Sequence, residues 1–205
     1  MGWNWTCGSC PGSADPQLWR ISAIFDRRLI PSPFDDVPLF VGTDGFVDWL
    51  QAQGDMERIA GAVAIGGTDG RSRLHMADLF RSYELLLPSI IHRTAFVAAT
   101  ATYGEGCQVL AHAAVCANAK LGCSVIVNTA SSIDHDCVVG DGVHVAPGAR
   151  LAGEVVVEEC AFVGTGAIIL PRLHIGQGAI IGAGPLSLAM CRTMRLSSAT
   201  RTQHS

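Results

Sequence analysis

The 205-residue sequence predicts an incomplete, Rossmann-like α/β unit followed by a parallel β-helix built from six-residue repeats. Three observations support this fold class. Apolar residues recur at every sixth position from Ile91 to Ile181, short apolar runs alternate with helix-like segments before that point, and the C-terminal residues follow neither pattern. The predicted boundaries are residues 1–88 for the α/β domain, 89–186 for the β-helix domain and 187–205 for an atypical tail.

The composition is that of a folded chain with few charges. Hydrophobic residues make up 49% and charged residues 16%, which is too apolar for a disordered protein. A net charge of −4 argues against binding to a nucleic-acid backbone, which requires clustered Lys and Arg. The sequence shows neither a membrane span nor a secretory signal, so we expect a cytoplasmic protein. Cys7 and Cys10 form a CxxC pair, but nothing nearby completes a zinc site, and no metal is expected.

The first ninety residues read as alternating strands and helices. The predicted strands are Arg20–Phe25, Ala60–Ile65 and Leu85–Ile91, the predicted helices are Thr43–Gln53 and Arg71–Tyr83, and a loop covers Pro31–Pro38. This order is typical of a small parallel α/β unit that binds ligands at the carboxyl ends of its strands. The domain is predicted to be incomplete, because residues 1–19 offer neither the opening apolar strand nor its glycine-rich turn.

The six-residue step runs through the second half of the chain without a slip in register. The apolar positions are Ile91, Val97, Tyr103, Val109, Val115, Leu121, Val127, Ile133, Val139, Val145, Leu151, Val157, Val163, Ile169, Ile175 and Ile181. A small or compact residue follows four places after nearly all of them, and Gly, Asn or Asp often follows directly. Those last three residue types tolerate the tight turns that a corner needs.

A period of six matches neither an α-helix nor a plain alternating strand, so each unit must combine a short strand with a corner. Three units close one triangular coil of 18 residues, and successive coils stack at about 4.8 Å, the spacing of hydrogen-bonded strands. About five coils then form a prism on the order of 25 Å tall. The apolar residue of each unit is expected to point into the prism.

His135 is the strongest candidate for a catalytic side chain. It lies between Asp134 and Asp136, on the outer side of the predicted prism, and its neighbours one coil away are the small residues Ala117 and Gly153. An imidazole with an ordinary pKa of about 6.5 and a carboxylate to orient it is a suitable general base near neutral pH.

The run from Asn128 to Gly148, NTASSIDHDCVVGDGVHVAPG, continues through Leu151 and Ala152 to Gly153. It resembles the hexapeptide-repeat sugar acetyltransferases of the NeuD/PglD family, which includes the UDP-4-amino-sugar N-acetyltransferases. The similarity extends from about Ile59 to Gly184. It implies a left-handed β-helix, a homotrimer, acetyl-CoA as co-substrate in the groove between neighbouring prisms, and no metal.

The resemblance also implies roles for individual residues. His135 is the expected base and Asp136 the acid that polarises it, although relatives often carry Glu at the second position. The residues expected to contact acetyl-CoA are His144, Gly153, Thr165 and Ala183. The residues expected to contact the nucleotide sugar are Asp26, Gly66 and Arg71. His135 and His144 are nine residues apart, half a coil, so they are expected to meet across a subunit boundary.

These features predict an acetyl-CoA-dependent N-acetyltransferase that acts on a nucleotide-linked amino sugar of the UDP-4-amino-sugar type in bacterial glycan or polysaccharide biosynthesis. Two alternatives stay open: O-acetylation of sialic acid or another hydroxyl acceptor, and a noncatalytic trimeric scaffold for a sugar-biosynthesis enzyme. Both ends of the chain depart from the family pattern. This departure predicts a truncated or frame-shifted gene product with an intact catalytic core and weakened substrate binding.

Overall fold

The computed structural model describes strand β1 (Trp5–Thr6), residues 20–54 and residues 59–184. The chain divides into two compact units, one of residues 14–59 and one of residues 1–13 with 60–205. Residues 60–88, which the sequence assigns to the first domain, thus belong to the same unit as the prism. The predicted tail and the Cys7–Cys10 pair lie outside the described residues.

The described residues of the smaller unit form two parallel strands and one helix. Strand β2 (Ile24–Asp26) pairs with β3 (Leu39–Val41), and helix α1 (Gly42–Gln51) follows β3 directly. The ring of Phe25 contacts Phe40, Phe46 and Trp49, with ring centroids 5.8, 5.3 and 5.6 Å apart. This aromatic cluster holds the helix against the strands.

The sequence predicts this unit in part. The predicted helix Thr43–Gln53 is confirmed as α1, and the loop before it is present. The predicted strand Arg20–Phe25 is shorter than expected, because only its last residues pair with a neighbour. Strand β3 is missed, since it is a three-residue segment that directly precedes the helix.

Residues 60–88 form a strap on the prism rather than the strand–helix–strand that the sequence predicts. Helix α2 (Gly70–Ser82) confirms the predicted helix, and its N-cap Asp69 accepts a hydrogen bond from the Ser72 backbone N–H at 3.2 Å. The predicted strand Ala60–Ile65 is wrong: only Ala60 forms a bridge, to Leu86.

In this segment, side chains donate to the backbone carbonyls that would pair with a neighbouring strand in a sheet. The Val63 carbonyl accepts a hydrogen bond from Gln108 Nε2 at 2.7 Å, and the Ile65 carbonyl accepts one from Arg73 Nη1 at 2.6 Å. Residues 61–65 therefore have the apolar composition of a strand, but in the described part of the chain they pair with no neighbouring strand.

The prism consists of short strands repeated every six residues. After β4 (Ile90–His92) they are β5 (Phe96–Val97), β6 (Thr102–Tyr103), β7 (Gln108–Val109), β8 (Ala114–Val115), β9 (Lys120–Leu121), β10 (Ile126–Val127), β11 (Ser132–Ile133), β12 (Val138–Val139), β13 (His144–Val145), β14 (Arg150–Leu151), β15 (Val156–Val157), β16 (Phe162–Val163), β17 (Ile168–Ile169), β18 (His174–Ile175) and β19 (Ile180–Ile181).

These strands form three parallel sheets, one for each face. The first sheet contains β4, β7, β10, β13, β16 and β19, with β1 added antiparallel at its edge. The second sheet contains β5, β8, β11, β14 and β17, and the third contains β6, β9, β12, β15 and β18. Paired residues are 18 positions apart, as in Val127↔Val145, so the predicted coil length is confirmed.

The predicted inward positions form the core. From Val109 to Ile181 each of these side chains is at most 5% exposed, whereas Ile91, Val97 and Tyr103 in the first coil are partly buried. The fold is thus a left-handed parallel β-helix preceded by a short α/β unit, and the predicted fold class is confirmed.

Three corners join the faces. We call the corner between the first and second sheets the first corner, that between the second and third sheets the second corner, and that between the third and first sheets the third corner. His135 lies at the second corner and His144 lies on the first sheet, so one chain holds the two histidines on different sides of the prism.

Candidate functional site

The second corner carries a hydrogen-bonded pair at its surface. His135 Nδ1 lies 2.9 Å from Asp136 Oδ2, and the two side chains are 53% and 50% exposed. A carboxylate only accepts hydrogen bonds, so Nδ1 carries the proton and Nε2 is the basic nitrogen. Within the described residues Nε2 has no hydrogen-bond partner. The pair can therefore accept a proton from a bound molecule.

The corner geometry brings the two side chains together. The backbone of Asp136 is in the left-handed region, with φ 58°, and its N–H donates to the Ala117 carbonyl one coil below at 3.0 Å. The Asp134 carboxylate accepts a hydrogen bond from the His135 backbone N–H at 2.8 Å and holds the turn in place. The turn at the second corner and the hydrogen bond to Asp136 therefore both fix the position of the imidazole.

Gly153 leaves the space that the imidazole occupies. A Cβ atom at this position would lie 2.4 Å from His135 Nε2 and 2.5 Å from Cε1, far inside van der Waals contact. The His135 carbonyl accepts a hydrogen bond from the Glu154 N–H at 2.9 Å, which keeps the two coils in register here. The predicted proximity of His135 and Gly153 is present in this structure.

Electrostatics favour a protonated His135. The hydrogen bond to Asp136 raises the pKa of His135, the charges of Asp134, Asp136 and Glu154 raise it further, and partial desolvation opposes them. The hydrogen bond from His135 in turn lowers the pKa of Asp136, and a second hydrogen bond from Asn118 lowers it further. The raised pKa helps His135 to hold a proton that Nε2 has accepted.

A shallow groove of about 390 Å³ lies beside this pair on the third sheet. Its lining residues are Thr100, Thr102, Asn118, Lys120, Asp136 and Val138. Lys120 is the only lysine in the sequence, and its side chain is exposed. The groove thus offers hydroxyl, amide and ammonium groups near the Asp136 carboxylate.

His144 occupies a very different environment. Its residue is only 6% exposed, its ring stands edge-on to Phe162, and both of its nitrogens are engaged. Nδ1 donates to the Gly67 carbonyl at 3.1 Å, and Nε2 accepts from Asn128 Nδ2 at 3.0 Å. Burial lowers the pKa of His144, with a smaller contribution from the charge of Arg73, while the bond to Gly67 opposes them. His144 is therefore a neutral group that fastens the Gly66–Gly67 turn to the first sheet.

The other residues expected to contact acetyl-CoA lie at two corners. Thr165 and Ala183 are exposed at the first corner, one coil apart, and the Thr165 carbonyl accepts a hydrogen bond from the Gly184 N–H at 2.9 Å. Gly153 lies at the second corner. One chain therefore does not bring Thr165 and Ala183 to the His135–Asp136 pair.

The residues expected to contact the nucleotide sugar lie in both units. Asp26 ends β2 in the smaller unit, and the hydrogen bonds from Arg28 hold the pKa of its carboxyl below the usual range. In the larger unit Gly66 lies in the exposed turn after the apolar run, and Arg71 is exposed in the first turn of α2.

Sequence reasoning missed a buried arginine two residues after Arg71 in helix α2. Arg73 is fully buried and donates to the carbonyls of Ser124 at 2.8 Å, of Ile65 at 2.6 Å and of Gly142. Desolvation lowers the pKa of its guanidinium. No periodic signal marks Arg73, because its partners are carbonyls of the strap and of the third corner.

Among the described residues no group of three or more His, Cys, Asp and Glu side chains could hold a metal ion. Neither helix in the described part of the chain has the length and apolarity that crossing a bilayer requires.

No family model matches the chain, but comparison with known proteins identifies relatives. The chain is 35% identical over 122 residues to GDP-perosamine N-acetyltransferase of Escherichia coli O157:H7. This match covers 60% of the chain and 54% of that protein, so the chain spans about half the length of this curated relative.

Two solved structures resemble the fold closely. The acetyltransferase domain of PglB from Neisseria gonorrhoeae FA1090, in complex with acetyl coenzyme A, has a TM-score of 0.70 and 31% identity, covering 80% of this chain and 76% of that one. PerB from Caulobacter crescentus, in complex with CoA and GDP-perosamine, has a TM-score of 0.67 and 37% identity, covering 74% and 70%. These matches agree with the resemblance seen in the sequence, and the chain belongs to the hexapeptide-repeat sugar N-acetyltransferases.

Proposed function

We propose that the protein is an acetyl-CoA-dependent N-acetyltransferase whose acceptor is a nucleotide-linked amino sugar. The observation that supports this most directly is the His135–Asp136 pair, with a basic Nε2 at an open corner. The relatives that bind acetyl coenzyme A, CoA or GDP-perosamine supply the chemical class of both substrates. The reaction would take place in the cytoplasm as part of glycan or polysaccharide biosynthesis.

The proposed reaction is a direct transfer. The acceptor amine attacks the acetyl carbonyl of the thioester, and His135 Nε2 takes the proton that the amine loses as the C–N bond forms. The C–S bond then breaks, and the imidazolium returns the proton to the departing CoA sulfur. Asp136 stabilises the imidazolium between these two steps, as a carboxylate does for a positively charged partner.

The oxyanion is proposed to be stabilised by a backbone N–H rather than by His144. Both His144 nitrogens already have partners, Gly67 and Asn128, and the ring is buried. In this proposal His144 serves the acetyl-CoA site indirectly, by holding the turn after residue 65, and a backbone amide directed at the carbonyl oxygen supplies the electrostatic stabilisation.

The site is proposed to form between subunits of a homotrimer. His135 and Gly153 at the second corner of one prism would face Thr165 and Ala183 at the first corner of a neighbour, with acetyl-CoA in the groove between them. This arrangement accounts for residues that one chain holds at separate corners. Asp26, Gly66 and Arg71 are the residues proposed to contact the nucleotide sugar.

The deciding experiment incubates the full chain with acetyl-CoA and a panel of acceptors while free CoA is measured. The panel contains a UDP-4-amino sugar, GDP-perosamine, sialic acid and serine. We expect CoA release with a 4-amino nucleotide sugar, and the nucleotide that supports the higher kcat/KM identifies the acceptor type. Release with sialic acid or serine alone would indicate O-acetylation of sialic acid or of a serine-like acceptor, and no release with any acceptor would favour a trimeric scaffold.

A further inference from the structure

A third polar side chain lies directly below the His135–Asp136 pair. Asn118 precedes Asp136 by 18 residues, one full coil, and occupies the same place at the second corner. Its Nδ2 donates to Asp136 Oδ1 at 3.1 Å, while Asp136 Oδ2 accepts from His135 Nδ1. The two oxygens of one carboxylate are thus used separately, one for the base and one for Asn118.

Asn118 is itself held by the coil beneath it. Its backbone has φ 59°, a conformation that Asn tolerates better than most residues, and its N–H donates to Thr100 Oγ1 at 3.1 Å. A short chain of hydrogen bonds therefore climbs the second corner from Thr100 through Asn118 and Asp136 to His135. Its spacing is fixed by the strand separation of the sheets on both sides.

Asp136 needs such an anchor because it is half-exposed and short. Exposed pairs of this kind contribute little by themselves, since water competes for both partners and the side chains are free to rotate. A base that works through one ring nitrogen must also keep its tautomer and direction, which a third group in contact with its partner secures. Asn118 is in contact with the oxygen that His135 does not use.

The chemistry of an amide suits this position. An ammonium or guanidinium group here would neutralise Asp136 and would disfavour a proton on His135 through like charge. A second carboxylate would repel Asp136. A neutral amide donates one hydrogen bond and leaves the negative charge of Asp136 available to the imidazole.

We propose that Asn118 is a positioning residue, which fixes the Asp136 carboxylate against His135 Nδ1 so that Nε2 is directed toward the acceptor amine. The catalytic part of this inference rests on the proposed acetyltransferase function. The structural part is the effect of Asn118 on the pKa and tautomer of His135. It can be measured in the protein without substrates.

The test uses two substitutions that keep the left-handed backbone. Asn118→Gly removes the donor, and Asn118→Asp replaces it with a carboxylate; both residue types tolerate positive φ. The histidines of the full-length protein are labelled with ¹⁵N and ¹³C, His135→Gln assigns the His135 signal, and its pKa and tautomer are followed by NMR. We expect Asn118→Gly to lower the pKa of His135 and to reduce its Nδ1–H tautomer fraction, and Asn118→Asp to raise the pKa.

The matched control is His112→Gly. His112 occupies the equivalent place at the first corner, with φ 58°, an exposed side chain and a backbone N–H that donates to Thr94 Oγ1 at 3.2 Å. It repeats the backbone geometry of Asn118 without contacting the His135–Asp136 pair. The control is expected to leave the His135 pKa, its tautomer and kcat unchanged.

Kinetics add a readout that a merely structural role would not move. We expect Asn118→Gly to lower kcat by about fivefold to tenfold, the effect of one ordinary hydrogen bond, with little change in KM for acetyl-CoA. The acid limb of the pH profile should shift to lower pH. In an Asp136→Asn background the same substitution should have no further effect, because its route to His135 is already lost.

The outcomes separate the two proposals. An unchanged His135 pKa and tautomer in Asn118→Gly overturns the positioning role, as does an equal loss of activity in His112→Gly. A wild-type protein that releases no CoA with any acceptor overturns the proposed function instead. In that case the NMR titration still supports or overturns the contact between Asn118 and the pair.

Discussion

At the scale of the residue, the site depends on an imidazole whose two nitrogens have different tasks. His135 Nδ1 is bonded to Asp136, and Nε2 is presented at an exposed corner. We expect His135→Ala to lower kcat by about 10²-fold to 10⁴-fold, the usual contribution of a general base, and to leave the oligomeric state unchanged. Steady-state kinetics with size-exclusion chromatography and light scattering would check both expectations, and an unchanged rate would rule out the base assignment.

Asp136 gives a pH prediction whose sign follows from its contact with His135. The base works in its neutral form, so kcat/KM falls as the pH drops through the His135 pKa, which the hydrogen bond to Asp136 raises. Asp136→Asn removes this charge. We therefore expect the acid limb of the kcat/KM profile to move to lower pH while the plateau decreases. A limb that stays in place would show that another group controls it.

Gly153 supports the imidazole through close packing. A methyl group at this position would overlap His135 Nε2 and Cε1, so Gly153→Ala should displace the ring and reduce kcat by about tenfold to a hundredfold, the range for a misplaced catalytic group. Gly176→Ala is the control, since its Cβ would approach nothing closer than Glu158 Oε2 at 3.9 Å. Equal activity in the two variants would contradict this view of Gly153.

At the scale of the element, helix α2 is held on the prism by one buried cation. Arg73→Met leaves the carbonyls of Ser124, Ile65 and Gly142 without their donor and should lower the free energy of unfolding by about 3 kcal/mol or more. Chemical denaturation would measure the change. Arg71→Met, two residues earlier on the exposed side of the helix, should leave the unfolding free energy nearly unchanged.

The coils were predictable from the sequence because their signal repeats. Val127 and Ile133 are inward residues whose spacing alone places them, and the same step puts Gly153 one coil above His135. Asn118 could have been found by subtracting 18 from Asp136. Arg73 could not, because its partners are backbone carbonyls that no side-chain pattern marks, and the short strand β3 gives too few residues for a period to appear.

At the scale of the whole molecule, the proposed site needs two copies of the chain. Preparations of His135→Ala and Thr165→Trp should each be inactive, the first for lack of a base and the second because a bulky side chain fills the first corner. When the two are unfolded together and reassembled at equal amounts, random mixing places an intact second corner beside an intact first corner at about a quarter of the interfaces. We expect about that share of wild-type activity, whereas a site within one chain would give none.

The fixed 18-residue register has a consequence for how such a protein can change its length. Adding or deleting a single hexad after Asp136 would rotate everything beyond it by one side of the triangle, so that His144 would leave the first sheet and Thr165 the first corner. Only the addition or removal of a complete 18-residue coil keeps every later side chain on the same face of the prism. Viable length variants of this chain should therefore differ by multiples of one coil within the prism.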